Sequence, residues 1–252
     1  MLQAVTLITG ASSGIGRALA LRLASRDIRL ALLARRSDAL ADTAEAVRQA
    51  GGFAITKVAD VTDRQAMATA VAEIEAEAGP VECFIANAGG GQRMAADEFD
   101  ADVFGDIIAV NLQGFANGIA AVLPSMRERG KGHIVAIGSL AARLGLPRAG
   151  AYSAAKAGVA RLAGSMRIEL AREHIAVTLI EPGFVDTRGR SKTGTRRKPF
   201  RMPLDEATAR IERAIDRRAT VAAFPAILVI LIAALRILPS PVYNRVIRRM
   251  AG

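Results

Sequence analysis

Ala4-Val-Thr-Leu-Ile-Thr9 runs straight into Gly10-Ala-Ser-Ser-Gly14-Ile-Gly16 and then into Arg17-Ala-Leu-Ala-Leu-Arg-Leu-Ala24. The first segment is short, apolar and β-branched, the pattern of a parallel strand buried on both faces. The third has helical periodicity. Strand, glycine-rich turn and helix N terminus in succession make an anion site, because free backbone N–H groups and the positive end of the helix dipole face one point. Glycine permits the tight turn and lets a pyrophosphate approach the backbone closely. The spacing is G-x-x-x-G-x-G, not G-x-G-x-x-G, and a turn used only for packing is the plain alternative.

Outward from this segment the pattern repeats. Strand-like runs at 4–9, 29–34, 54–59, 82–86, 133–138, 175–180 and 219–224 alternate with helical patterns. Such alternation predicts βαβ units, right-handed crossovers and a parallel sheet. A chain of 252 residues can form one α/β domain around one core, so residues 1–252 are read as a single domain. No internal repeat, low-complexity tract or interdomain linker interrupts it.

Composition narrows the function classes. The net charge is +10 and the isoelectric point near 10.8, which invites a nucleic-acid reading. Aromatic residues make up only 4% of the chain, too few for evident base-stacking platforms, and no binding motif is present. No nucleic-acid partner is expected; an anionic membrane surface suits the basic charge better. The single cysteine, Cys83, excludes an intramolecular disulfide framework and is expected to be an inert thiol in a central strand. His133 and His174 are read as strand-edge or helix-end residues, with no metal-ligand spacing and no metal expected. No basic segment precedes the first strand, so no secretory leader is expected.

Tyr152 and Lys156, in Tyr152-Ser-Ala-Ala-Lys156, are four apart in a helical stretch and leave one face a turn apart. A phenol with a reference pKa of about 10 is a poor proton carrier at neutral pH. A neighbouring ammonium favours the phenolate and is expected to lower that pKa. The pair alone is a weak signal, since many helices carry it on a solvated face.

In company it is not weak. Thr9-Gly-Ala-Ser-Ser-Gly-Ile-Gly16, Asn87-Ala88-Gly89, Asn111, Ser139, Tyr152-Ser-Ala-Ala-Lys156 and Pro182-Gly183 stand in an order and spacing that resembles the short-chain dehydrogenase/reductase family. The resemblance covers residues 4 to about 187. It implies a Rossmann-like, doubly wound parallel sheet of seven strands in the order 3-2-1-4-5-6-7, with a nucleotide across the carboxyl ends of the strands at the switch point.

The resemblance also implies roles. Tyr152 would be the general acid in carbonyl reduction and the base in the reverse direction. Lys156 would lower its pKa and bond the nicotinamide ribose. Ser139 would bond the substrate oxygen, and Asn111, in the helical run Ile107-Ile-Ala-Val-Asn-Leu112, would hold a water for proton relay. Gly10, Ser12, Ser13, Gly14, Ile15 and Gly16 would cradle the pyrophosphate. Asp60 and Val61 would meet the adenine edge, Asn87, Ala88 and Gly89 would pass beside the cofactor, and Pro182, Gly183, Val185 and Thr187 would contact the carboxamide. The second strand ends at Ala34 with no acid to bond a ribose 2′-hydroxyl. Arg35 and Arg36 follow it and suit a 2′-phosphate, so NADP(H) is expected over NAD(H).

Segments 90–98, 140–150 and 186–205 are expected to form the substrate pocket. The last is basic and lacks apolar periodicity, and is read as a lid that captures an anionic group or as a solvated loop; Arg93 and Arg143 near the mouth are equally open. The C-terminal part, 226–252, departs from an ordinary soluble reductase. Ala219 to Leu235 carries no charge, and Ile227-Leu-Val-Ile-Leu-Ile232 is apolar on every helical face, where a surface helix should have a polar one. A basic tail, Asn244-Arg-Val-Ile-Arg-Arg249, follows. With 219–224 taken by the last strand, the apolar helix is too short to span a bilayer, leaving peripheral membrane attachment or burial in an oligomer.

The expected protein is therefore an NADP(H)-dependent oxidoreductase interconverting a carbonyl and an alcohol on a small, apolar or lipid-like substrate. It is expected as a cytoplasmic homodimer or homotetramer, with the inner face of the membrane as a further partner. The other class is a nucleotide-binding sensor or scaffold that keeps the fold without turnover; four intact catalytic-type residues argue against it.

Overall fold

The computed structural model describes residues 4–187 and 200–251, the last four as backbone alone. The strands are β1 (Val5–Thr9), β2 (Arg29–Ala34), β3 (Phe53–Val58), β4 (Val81–Ala86), β5 (Gly132–Ile137), β6 (Ile175–Pro182), β7 (Val185–Asp186), β8 (Met202–Pro203) and β9 (Val221–Phe224). The helices are α1 (Gly14–Leu23), α2 (Ser37–Gln49), α3 (Arg64–Ala78), α4 (Ala101–Ile108), α5 (Gly114–Arg129), α6 (Gly150–Leu170), α7 (Leu204–Asp216), α8 (Ala226–Arg236) and α9 (Ser240–Ala251). Seven strands form one parallel sheet in the order β3-β2-β1-β4-β5-β6-β9. This is the expected doubly wound α/β order. The seventh strand is numbered ninth because β7 and β8 form a separate two-stranded parallel ribbon.

The reason for burial on both faces is visible in the pleat. Successive strand side chains point to opposite sides. Leu7 and Leu33 join Met67, Val71 and Ile74 of α3, Phe115 and Val122 of α5 and Val159 of α6. Ile8 and Leu32 join Leu19 and Leu23 of α1, Leu40 and Val47 of α2 and Ile211 of α7. One run of apolar residues therefore serves two cores, and alternation with polar residues is absent because neither face meets water.

His133, read as a strand-edge residue, is the second residue of β5; it is only 5% exposed, and its Nε2 is 2.8 Å from Thr178 Oγ1 on β6. The basic tail, 244–249, lies within helix α9. Of segment 186–205, residues 188–199 lie outside the described residues; Met202–Pro203 is strand and Leu204 begins α7. Cys83 sits on β4 as expected, its thiol pushed up to about 12 by burial.

Burial, and next the Arg218 charge, push His133 from an ordinary 6.5 down to about 4. Between those values the unfolded chain binds the proton and the folded one does not, so stability falls as pH drops from 6.5 towards 4. The shift corresponds to roughly 3 kcal/mol at full extent. His133→Gln should remove most of this loss: denaturant melts at pH 4.5 and 7 should differ less for the variant than for the wild type. An unchanged difference would show that His133 does not set the acid limb.

Candidate active site

The crevice opens where β1 and β4, neighbours in the sheet, send the chain to opposite faces. Thr9 ends β1, and its Oγ1 accepts from the backbone N–H of Asn87 and of Ala88, both at 3.1 Å. Asn87 Nδ2 returns two bonds, to Thr9 O at 3.0 Å and Gly10 O at 3.2 Å. The turn is thus stitched to the end of β4. Gly10 and Gly14 have positive φ, 66° and 55°, where a side chain is strained. Gly16 is required for a different reason: a Cβ there would lie 2.5 Å from Asn87 Nδ2 and closer still to Gly10 O.

Ser13 is the N-cap residue of α1, yet no side chain caps the helix, so its first N–H groups remain available to an anion. Ser12 Oγ accepts from Arg36 at 3.1 Å. Ile15 packs into the core beneath. Thr187 reaches the turn from the other side, its Cγ2 3.6 Å from the Cβ position of Gly14. Val185 lies in the β7–β8 ribbon. Gly183 N donates to Phe224 O at 2.7 Å, which fastens Pro182-Gly183 to the last strand.

Arg35, 65% exposed at its side chain, pairs with Asp60 Oδ2 at 3.2 Å. Asp60 Oδ1 accepts from the N–H and hydroxyl of Thr62, both at 2.9 Å. Burial resists the charge on Asp60, but these bonds outweigh it and hold the carboxyl below its ordinary value. Both oxygens of Asp60, expected at an adenine edge, are therefore engaged within the chain. Val61 is buried against Gly114.

Tyr152, Lys156 and Asn111 converge around the backbone of Gly89–Gly91, and Ser139 joins them through a hydrogen bond to Tyr152. A Cβ on Gly89 would lie 2.5 Å from Asn111 Oδ1 and 3.2 Å from Lys156 Nζ, and one on Gly91 would lie 3.0 Å from Tyr152 Cδ2. Asn111 is not in a plain α-helix. It occupies a π-helical turn, Ala109–Gln113, between α4 and α5, a feature common at functional sites. Its Nδ2 donates to Gly90 O at 2.7 Å and Ile107 O at 2.8 Å, and its Oδ1 accepts from Gly90 N at 3.3 Å.

Lys156 is buried, with Nζ donating to Ile137 O at 2.9 Å and lying 5.8 Å from the Tyr152 ring centroid. Burial pushes its pKa down to about 8. Burial also raises the Tyr152 phenol above its ordinary value, with a hydrogen bond from Ser139 opposing. The expected lowering by Lys156 is thus reversed in this arrangement: desolvation disfavours both charged forms. Ser139 Oγ additionally accepts from Ala141 N at 3.1 Å.

Sequence reading missed Glu181. It is 3% exposed, and its Oε2 takes bonds from Arg143 Nε at 2.9 Å and from the Arg143 terminal nitrogen. An acid inside the apolar run Ile175–Pro182 was the available signal, because a buried carboxylate requires a partner. Arg143, left open in the sequence, is that partner.

With this geometry in hand the class is clear: a Rossmann-type oxidoreductase built on the Tyr-x-x-x-Lys plan. The family model for short chain dehydrogenase matches residues 4–198, and the chain belongs to the short-chain dehydrogenase/reductase family. It is 37% identical over 248 residues to an uncharacterized oxidoreductase of Myxococcus xanthus, covering 97% of this chain and 96% of that one. Among solved structures, a variant of actinorhodin polyketide ketoreductase with NADPH superposes with TM-score 0.80 at 28% identity, covering 88% and 95%. A family member from Burkholderia phymatum in complex with NAD gives TM-score 0.83 at 25% identity, covering 92% of each chain. The protein is an oxidoreductase of this family, an enzyme acting between CH–OH and C=O groups.

Gly16→Ala should disrupt the stitched turn, at a cost of about 1–3 kcal/mol for overpacking. At Gly90 a Cβ meets nothing within 4 Å, so Gly90→Ala is the control. Thermal melts should show a drop of several degrees for Gly16→Ala and little for Gly90→Ala; equal behaviour would contradict the packing described.

Proposed function

We propose that this chain is an NADP(H)-dependent reductase or dehydrogenase that interconverts a carbonyl compound and an alcohol, on an apolar or lipid-like substrate. The observation that carries the reading is the convergence of Tyr152, Lys156 and Asn111 in a desolvated recess at Gly89–Gly91, with Ser139 hydrogen-bonded to Tyr152. The glycine turn and the uncapped N terminus of α1 fit the pyrophosphate of a dinucleotide. Bound there, the dinucleotide supplies the hydride. Tyr152 gives its proton to the carbonyl oxygen in reduction and takes it back in oxidation. Its raised pKa keeps that proton in place at neutral pH. Ser139 donates to the same oxygen and steadies developing charge. Lys156, still mostly protonated below about pH 8, presents an ammonium for ribose hydroxyls and for the phenolate left after transfer. Asn111 fixes the Gly90 backbone beside them. The reading includes a homodimer or homotetramer in the cytoplasm.

Tyr152→Phe removes the transferable proton and keeps the ring. Turnover of a ketone panel, followed by NADPH absorbance, should fall by about two to four orders of magnitude with folding intact. Near-normal turnover would end the assignment.

NADP(H) is favoured because Ala34 supplies no acid while Arg35 and Arg36 flank the turn, Arg36 already reaching Ser12. Arg35 would exchange its exposed contact with Asp60 for the 2′-phosphate. Charge-assisted bonds of about 1.5–3 kcal/mol correspond to roughly ten- to hundredfold in affinity. Replacing both arginines with Ala should weaken NADPH by that factor in fluorescence titration and leave NADH nearly unchanged. Equal losses would mean that the pair supports the loop only.

A further inference from the structure

Helix α8 exposes what a surface helix should hide. Ile227 is 51% exposed, Ile230 67% and Leu231 44%, and Ile237 just beyond is 84% exposed. Positions 227, 230, 231 and 234 recur at helical spacing and form one outward stripe. Ile232 is the sole buried residue of this helix. α9 adds Val242, 46% exposed, beside exposed Arg245. No Asp or Glu follows Asp216, whereas Arg217, Arg218, Arg236, Arg245, Arg248 and Arg249 do.

We propose that α8 and the start of α9 form a docking surface for an anionic lipid bilayer. The charge pattern chooses this occupant over a second copy. Arg236 ends α8 and Arg245 lies on α9, and a two-fold contact through this segment would offer them no acid from its copy to neutralise them. Lipid phosphates neutralise them, and acyl chains receive the isoleucine stripe. With 11 residues α8 is about 16 Å long, against a hydrocarbon core of about 30 Å, so it lies in the interface and does not span it.

The surface adjoins the cleft. The Cβ position of Gly183 is 2.9 Å from Leu228 Cδ2 of α8 and 3.1 Å from Pro225 Cδ. Docking therefore brings the Pro182-Gly183 end of the site to the lipid. On the reading of that cleft as a reductase site, the substrate is an apolar carbonyl compound or alcohol drawn from the bilayer.

The test is co-sedimentation of the full chain with vesicles of phosphatidylcholine and phosphatidylglycerol in equal parts. Wild-type protein should pellet at low salt, be released as salt rises, and stay in the supernatant with phosphatidylcholine alone. Ile230→Gln with Leu231→Gln should lower the partition coefficient about tenfold or more while NADPH binding persists. Arg236→Gln with Arg245→Gln should do the same on anionic vesicles. Wild-type protein that ignores anionic vesicles at low salt overturns the proposal, as does a glutamine pair that splits an oligomer on size exclusion without changing vesicle binding. Reduction of a water-soluble ketone by wild type and glutamine pair, measured without vesicles, judges the reductase reading separately.

Discussion

The hydroxyl of Thr9 holds the molecule open in the right place. β1 is bonded to β2 on one side and β4 on the other, and from these two strands the chain leaves to different faces of the sheet. Without a tie, the ends of β1 and β4 would be free to splay. One oxygen accepting two amides, answered by the Asn87 amide on two carbonyls, sets a narrow, rigid floor. Only a residue without a side chain can stand at Gly10 and Gly16 above it. The crevice is therefore a consequence of close backbone approach, and its glycines answer to geometry within the protein before any ligand arrives.

The chemistry-bearing side chains depend on that floor. Gly89–Gly91 continue from the stitched segment and form the wall against which Asn111, Tyr152 and Lys156 rest. Water is excluded, so neutral forms are favoured: the phenol holds its proton more tightly and the ammonium less. In such surroundings a charge introduced by a ligand acts strongly, because little solvent screens it. The protonation balance of the recess is thus poised to respond to what enters.

Much of this was legible from the chain. All seven sheet strands were found within two residues, because apolar runs bounded by turns are unambiguous when a parallel sheet is buried on both sides. The motif residues fell into one cleft because the fold gathers strand ends. What escaped depends on pairings distant in sequence or on small backbone shifts. The π turn at Asn111 leaves no mark in a helical pattern. The burial of His133 rests on its contact with Thr178 of β6, which lies 45 residues away in sequence. The direction of the Tyr152 shift turned on burial, which a spacing of four cannot reveal.

Arg143 follows Ser139 by one turn, and Glu181 immediately precedes Pro182-Gly183, so their ion pair, buried at Glu181, ties the turn after β5 to the end of β6. Removing one partner leaves a charge stranded in the interior. The two positions consequently act as one unit. A replacement of residues 140–150 that loses Arg143, four residues from Ser139, would strand the Glu181 carboxylate, and calls for a neutral residue at 181.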